Sequence, residues 1–188
     1  MKKILSAMVA LAFFVACNSS DAPAENKAEA PAEKAKSAHS EAFNAGFADL
    51  LNAYYGLKDA LVASDTARAN AAVVFIERSI DTVKLDELEA EVKTTAASFL
   101  GTIKGNAASL AAAKDIEAKR KEFQLISDAM YDLVRTVRYD GQKVYQQYCP
   151  MAFDNTGAAW LSKSDEILNP YFGDKMLHCG EVRDSLAF

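Results

Sequence analysis

Five side chains in the last quarter of the chain carry the chemistry worth asking about: Cys149, Met151, Met176, His178 and Cys179. They fall in two clusters. Met151 stands two residues beyond Cys149, and Met176 stands three before Cys179 with His178 between them. Thiolate, thioether and imidazole together are the ligand set that monovalent copper prefers, and thioethers discriminate against hard ions such as Mg²⁺ and Ca²⁺. Zinc would take the same Cys and His, but zinc fingers keep tighter spacing and a second Cys or His pair. Each cluster can present two sulfurs from one turn, so folding that joins the clusters would make a soft-metal site, with Cu(I) the ion it suits best. The two cysteines have another use. A Cys149–Cys179 disulfide would close a loop over the aromatic residues between them and stabilise the chain by about 2–4 kcal/mol, with both methionines as core filler. The sequence leaves both readings open.

Catalysis is not indicated. A cysteine nucleophile needs a base in reach; His178 adjoins Cys179, and neighbours in an extended chain point to opposite faces. There is no Ser-His-Asp order, phosphate loop or paired-carboxylate signal. Asp154, Asp165, Glu166 and Asp174 read as solvated loop acids, and Asn155, Asn169 and Asp174 as residues that hold turns through local backbone bonds.

The elements that must position this segment lie upstream. Phe43, Phe47, Leu50, Tyr54, Leu57 and Leu61 alternate steps of four and three, one buried helix stripe. Asp65 is placed to cap a second helix with Ala69, Val73, Ile76, Ile80 and Val83 inward. Leu88, Val92, Ala96, Phe99 and Ile103 form a third stripe, which ends at Gly105-Asn106 or runs on through the alanines to Ala113. A fourth starts near Asp115 with Ile116, Phe123, Ile126, Met130, Leu133 and Val137 inward, and stops before Asp140-Gly141. Short connections between four amphipathic segments predict a mainly α, up-and-down antiparallel four-helix bundle. These helices hold no histidine, so no di-iron or haem site is expected in the bundle. Arg120, Arg135 and Arg138 read as exposed or snorkelling helix residues. After Gly141 the helical period is lost; 143–148 and 158–161 suit short strands, and 165–168 one helical turn before Asn169-Pro170. Six aromatic residues between Tyr145 and Phe172 are too many for a loose tail. This irregular, short-stranded segment, 141–188, is expected to pack on the bundle of 40–140 as part of one domain.

The chain has 188 residues and a formal net charge of -5. That acidic balance argues against nucleic acid as the main partner. Residues 1–17, MKKILSAMVALAFFVAC, join a basic start to an apolar run too short to span a bilayer. The ending Phe14-Val15-Ala16-Cys17 resembles a bacterial lipobox, with Phe14 where leucine is commoner. The resemblance implies cleavage before Cys17, lipidation of Cys17, and a membrane anchor rather than a span. Export would make a disulfide between the other two cysteines chemically reasonable. Residues 18–39 are rich in Ala, Glu, Lys and Pro with no large apolar side chain, the composition of a disordered tether in which His39 is a solvated linker residue.

CPMAF (149–153), GAAWLS (157–162), EILNPYFG (166–173) and KMLHCGEV (175–182) resemble a bacterial domain-of-unknown-function family, as do YYGLKDALVASD (54–65) and KRKEFQLISDAM (119–130). Members occur as small envelope lipoproteins and as a C-terminal extension on heavy-metal efflux adaptors of the copper-silver type. The Cys-Pro-Met tripeptide separately resembles a metal-binding segment of some adaptors, where histidine usually follows and Ala152 stands here. What this resemblance implies is copper handling in the bacterial envelope, beside an efflux adaptor. The residues themselves allow a second function, a non-enzymatic interaction module with a structural disulfide and no metal.

Overall fold

The computed structural model describes residues 37–188. Four long helices follow one another: α1 (Glu41–Val62), α2 (Thr66–Ile80), α3 (Ala90–Ala112) and α4 (Ile116–Val137). Side-chain oxygens set three of their starts, accepting backbone N–H groups that the first turn leaves unpaired. Ser40 takes Phe43 N–H at 3.1 Å, Asp65 takes Arg68 N–H at 2.9 Å and Asp115 takes Ala118 N–H at 2.8 Å. Consecutive helices pack on each other, so the connectivity is that of the predicted bundle. The α1 stripe from Phe43 to Leu61 is fully buried, and Ala69, Ile76, Ile103, Phe123, Ile126, Met130 and Leu133 meet it in the core. The alanines of 107–112 belong to α3, because Gly105 and Asn106 sit in its interior at only a modest propensity cost. No helix among the described residues is long and apolar enough to cross a membrane.

A three-stranded antiparallel sheet follows: β1 (Val144–Cys149), β2 (Ala158–Ser162) and β3 (Glu181–Leu186), in the order β2-β1-β3. β1 and β2 occupy the segments whose alternation predicts strands, and β2 lies against α4. β3 is not signalled by the sequence. It is an edge strand, exposed at Glu181, Val182 and Arg183, so one buried face never imposes an alternating pattern on it. The register between β1 and β3 slips at Gln146/Gln147, a further irregularity. The helical turn predicted over 165–168 does not form; this stretch is bends and extended chain leading to the buried Asn169.

The tether predicted for 18–39 overlaps the described residues only at 37–39, and these are held against the bundle. Ser37 and the Ala38 N–H bond the Asp140 carboxylate, and His39 stacks on Phe43 at 4.4 Å between centroids. His39 is therefore packed rather than solvated, its Nδ1 3.5 Å from Glu87 Oε1. The leader and Cys17 lie outside the described residues.

Candidate functional site

The C-terminal segment is fixed to the bundle by polar side chains buried at their meeting place. Tyr54 on α1 is fully buried; its hydroxyl is 2.7 Å from Ser127 Oγ on α4 and accepts the Leu161 N–H of β2 at 2.9 Å. Burial pushes the Tyr54 phenol well above its ordinary range. Arg120 on α4 is 2 % exposed, which corrects the expectation of a surface residue. Its Nε donates to the Pro170 carbonyl at 2.8 Å, Nη1 to Glu117 at 2.9 Å, and Nη2 to the Leu61 carbonyl at 3.2 Å and Ser64 Oγ at 3.1 Å. A buried guanidinium is tolerable only when its donors are satisfied, and the rigid fork lets one side chain serve α1, α4 and the loop after β2.

Asn169 does for that loop what Arg120 does for its attachment. Fully buried, it donates from its backbone to Leu177 O at 2.8 Å and from Nδ2 to Cys179 O at 2.7 Å, and its Oδ1 accepts Tyr171 N–H at 2.8 Å. The role of a turn holder is thus met, and extended across ten residues. Gly173 closes the same loop at φ +58°, where a Cβ would lie 2.8 Å from Val62 O and 2.9 Å from Ser64 Oγ. Tyr171 lies between them as an aromatic hub, 5.9 Å from Phe123, 5.2 Å from Phe153 and 5.9 Å from Trp160. The Asn-Pro-Tyr-Phe-Gly run is a positioning motif.

What it positions is sulfur. Cys149 ends β1 fully buried, Cys179 ends the loop half-buried, and their Sγ atoms are 2.7 Å apart although thirty residues separate them. The contact with Cys149 and partial burial push the Cys179 thiol up to about 11. An ion held by both would need them to part, since two thiolates each about 2.3 Å from a tetrahedral metal stand roughly 3.8 Å apart. Met151 and Met176 are also brought together. They line one cleft of about 430 Å³ with Glu117, Lys121, Phe153, Asp154, Asn155, Tyr171 and Phe172. The cysteines do not line it. His178 is exposed, with Nδ1 2.9 Å from the Ile167 carbonyl. That bond requires the proton on Nδ1 and leaves Nε2 free to accept. Among the described residues no three His, Cys, Asp or Glu side chains gather as a metal site. The five predicted donors therefore resolve into a cysteine pair, a methionine pair and a histidine turned to a backbone carbonyl.

Phe153, Asp154 and Asn155 are a feature of the cleft that the sequence does not announce. All three have left-handed backbone, φ 50°, 56° and 67°, in the connection between β1 and β2. Asn tolerates that region; Phe does not favour it. Arg120 was also missed, because a single arginine on a helix has the same spacing whether it points in or out.

The residues that hold the site can be compared with known proteins. Residues 50–141 match the family model described as "Protein of unknown function (DUF3347)". This span is just under half of the chain. It includes Tyr54, Ser64, Arg120 and Ser127, and it ends before Cys149, so the likeness is to the helices and not to the sulfur-bearing segment. No curated protein and no solved structure matches the chain.

Proposed function

We propose that this chain is an envelope-anchored binding module for a soft metal ion, with Cu(I) as the cargo, held for sequestration or for delivery to an efflux system. Cys149, Met151, Met176, His178 and Cys179 are its donors. The observation that carries the reading is the pairing of sulfurs distant in sequence: cysteine with cysteine in contact, methionine with methionine on one cleft. Met151 is 46 % exposed, so its thioether is open to an ion from solution. Polarizable, uncharged thioethers select soft monovalent ions, and reduced thiols add anionic donors once deprotonated. Lipidation at Cys17 would hold the module at the membrane.

A second reading is favoured by the burial of Cys149 and by the thiol contact. In it the pair is a structural disulfide of a non-enzymatic interaction module, and the methionines bind nothing. An anaerobic Cu(I) titration against a competing chelator separates the two. The full chain would carry Cys17→Ser, so that only Cys149 and Cys179 report as thiols, counted by mass before and after mild reduction. Tight uptake by the reduced chain, weakened by Cys149→Ser, is the result expected. Failure to compete, with the thiols oxidised and resistant to reduction, would leave the interaction module.

A further inference from the structure

We infer that the Met151–Met176 cleft is by itself a site for one soft monovalent cation, Cu(I) or Ag(I), and that it works whether the cysteine pair is reduced or oxidised. This rests on the soft-metal reading above but divides its donor set. Neither cysteine lines the cleft. Disulfide formation therefore removes no donor from it. Cys179 N–H donates to Met176 O at 3.0 Å, so a crosslink to Cys149 would also hold the Met176 turn in place.

The walls suit a cation of low hydration. Phe153, Tyr171 and Phe172 line the same space as the two methionines. Ring faces attract a cation within about 6 Å, most strongly when it is partly desolvated. Thioethers supply polarizable lone pairs without charge; of the carboxylates in the lining Glu117 is paired with Arg120, which leaves Asp154 beside the ammonium of Lys121. Mg²⁺ and Ca²⁺ would demand six or more oxygens, which this lining does not offer.

The backbone makes the same point independently. Of the three successive left-handed residues Phe153 carries the full cost, about 1–2 kcal/mol, and Asp154 and Asn155 a smaller one. Their consequence is that Phe153, Asp154 and Asn155 all face one cleft. The opposite wall, Tyr171, Phe172 and Met176, is the loop that Asn169 and Arg120 fix.

The test uses Ag(I), which the protein cannot oxidise or reduce under these conditions, added as nitrate in chloride-free buffer. The full chain with Cys17→Ser is first oxidised to the Cys149–Cys179 disulfide, confirmed by mass, and its methionine methyl groups are followed by NMR. We expect saturation at one equivalent, with the Met151 and Met176 methyl signals moving together and the core Met130 signal still. Met151→Leu and Met176→Leu keep the volume and fold and should each weaken uptake on the order of tenfold or more, about 1.4 kcal/mol. If the oxidised chain takes up no ion while the reduced chain does, the cleft is not a site and the thiols alone carry the metal. If neither form binds, both this inference and the soft-metal reading fall. Uptake without movement of the Met151 and Met176 signals also overturns the inference.

Discussion

At the scale of single residues, the side chains that matter most to the candidate site are not its donors but Arg120 and Gly173. Arg120 satisfies carbonyls on two otherwise separate parts of the fold, Leu61 and Pro170, and no other residue type spans them. Replacing it with alanine strands those acceptors and leaves a void, at about 1.5–3 kcal/mol for the charged hydrogen bonds alone. The expected outcome for Arg120→Ala is a loss of about 3 kcal/mol or more by denaturant unfolding, with Arg120→Lys recovering little because a compact ammonium lacks the separate Nε and Nη2 donors that reach Pro170 O and Leu61 O. A loss below about 1 kcal/mol would show the fork to be dispensable. Gly173→Ala is expected to cost about 2 kcal/mol or more, since it adds a left-handed penalty to a Cβ set against Val62 O. Both variants should also lower cation uptake at the cleft, because the wall they attach carries Met176. Neither role is written in the sequence. Arg120 falls at an inward position of α4, yet the stripe that predicts the helix is drawn from apolar residues and passes over it.

At the scale of elements, the helices were legible and the segment after them, 141–188, was legible only in part, for one physical reason. A helix that buries one face repeats its signal every three or four residues, so twenty residues testify to the same answer. β1 and β2 testify less often, and β3, an exposed edge strand, does not testify at all. The left-handed turn of 153–155 depends on packing around it rather than on the preferences of Phe and Asp. The cysteines in contact are the two that the sequence pairs, but the separation of both methionines onto their own cleft could not follow from spacing, since it depends on how Asn169 holds the loop. The short entry to α1 gives a pH prediction at this scale. The Ser40 hydroxyl and N–H hold the Glu87 carboxyl below its ordinary range. Partial burial works against the charge on Asp140, but Ser37 Oγ and the Ala38 N–H outweigh it and hold that carboxyl low as well. A lowered carboxyl stabilises the docked segment above its unfolded value and loses that contribution as pH falls through the folded value. Residues 37–40 should therefore stay docked from pH 7 to about 5 and come free below about 4. The amide shifts of Ala38 and Ser40 report it, and Glu87→Gln should flatten the Ser40 profile. Shifts unchanged down to about pH 2 would mean that His39 stacking on Phe43, not the carboxylates, docks the segment.

At the scale of the whole molecule, the core is unusually phenolic at the seam between bundle and sheet, and this sets its alkaline limit. Removal from water raises five phenols above their ordinary value, Tyr131 and Tyr139 less and the buried Tyr54, Tyr55 and Tyr171 furthest, with the neighbouring Tyr54 adding to the effect at Tyr171. The folded chain keeps these three protons where the unfolded chain would release them. Stability from such raised groups is complete below the unfolded value of about 10 and is lost as pH climbs toward the folded value. Each phenol contributes about 1.4 kcal/mol per pH unit, so the three furthest raised alone remove about 4 kcal/mol per unit above pH 10. Against an ordinary total stability of about 5–15 kcal/mol, cooperative unfolding should arrive within about one to four units of that point. Spectrophotometric titration near the phenolate band would then show a late, steep step coincident with loss of helical circular dichroism. Tyr54→Phe tests the assignment, since it removes one of the three protons along with the bonds to Ser127 and Leu161. It should lower stability at pH 7 by about 1–3 kcal/mol, since the buried Leu161 N–H loses its acceptor, and cut the alkaline slope by about 1.4 kcal/mol per unit. Phenolate absorbance that rises fully while the helices stay intact would show that the seam opens to water by itself. The Met151–Met176 cleft, which shares Tyr171 with that seam, would then be mobile as well.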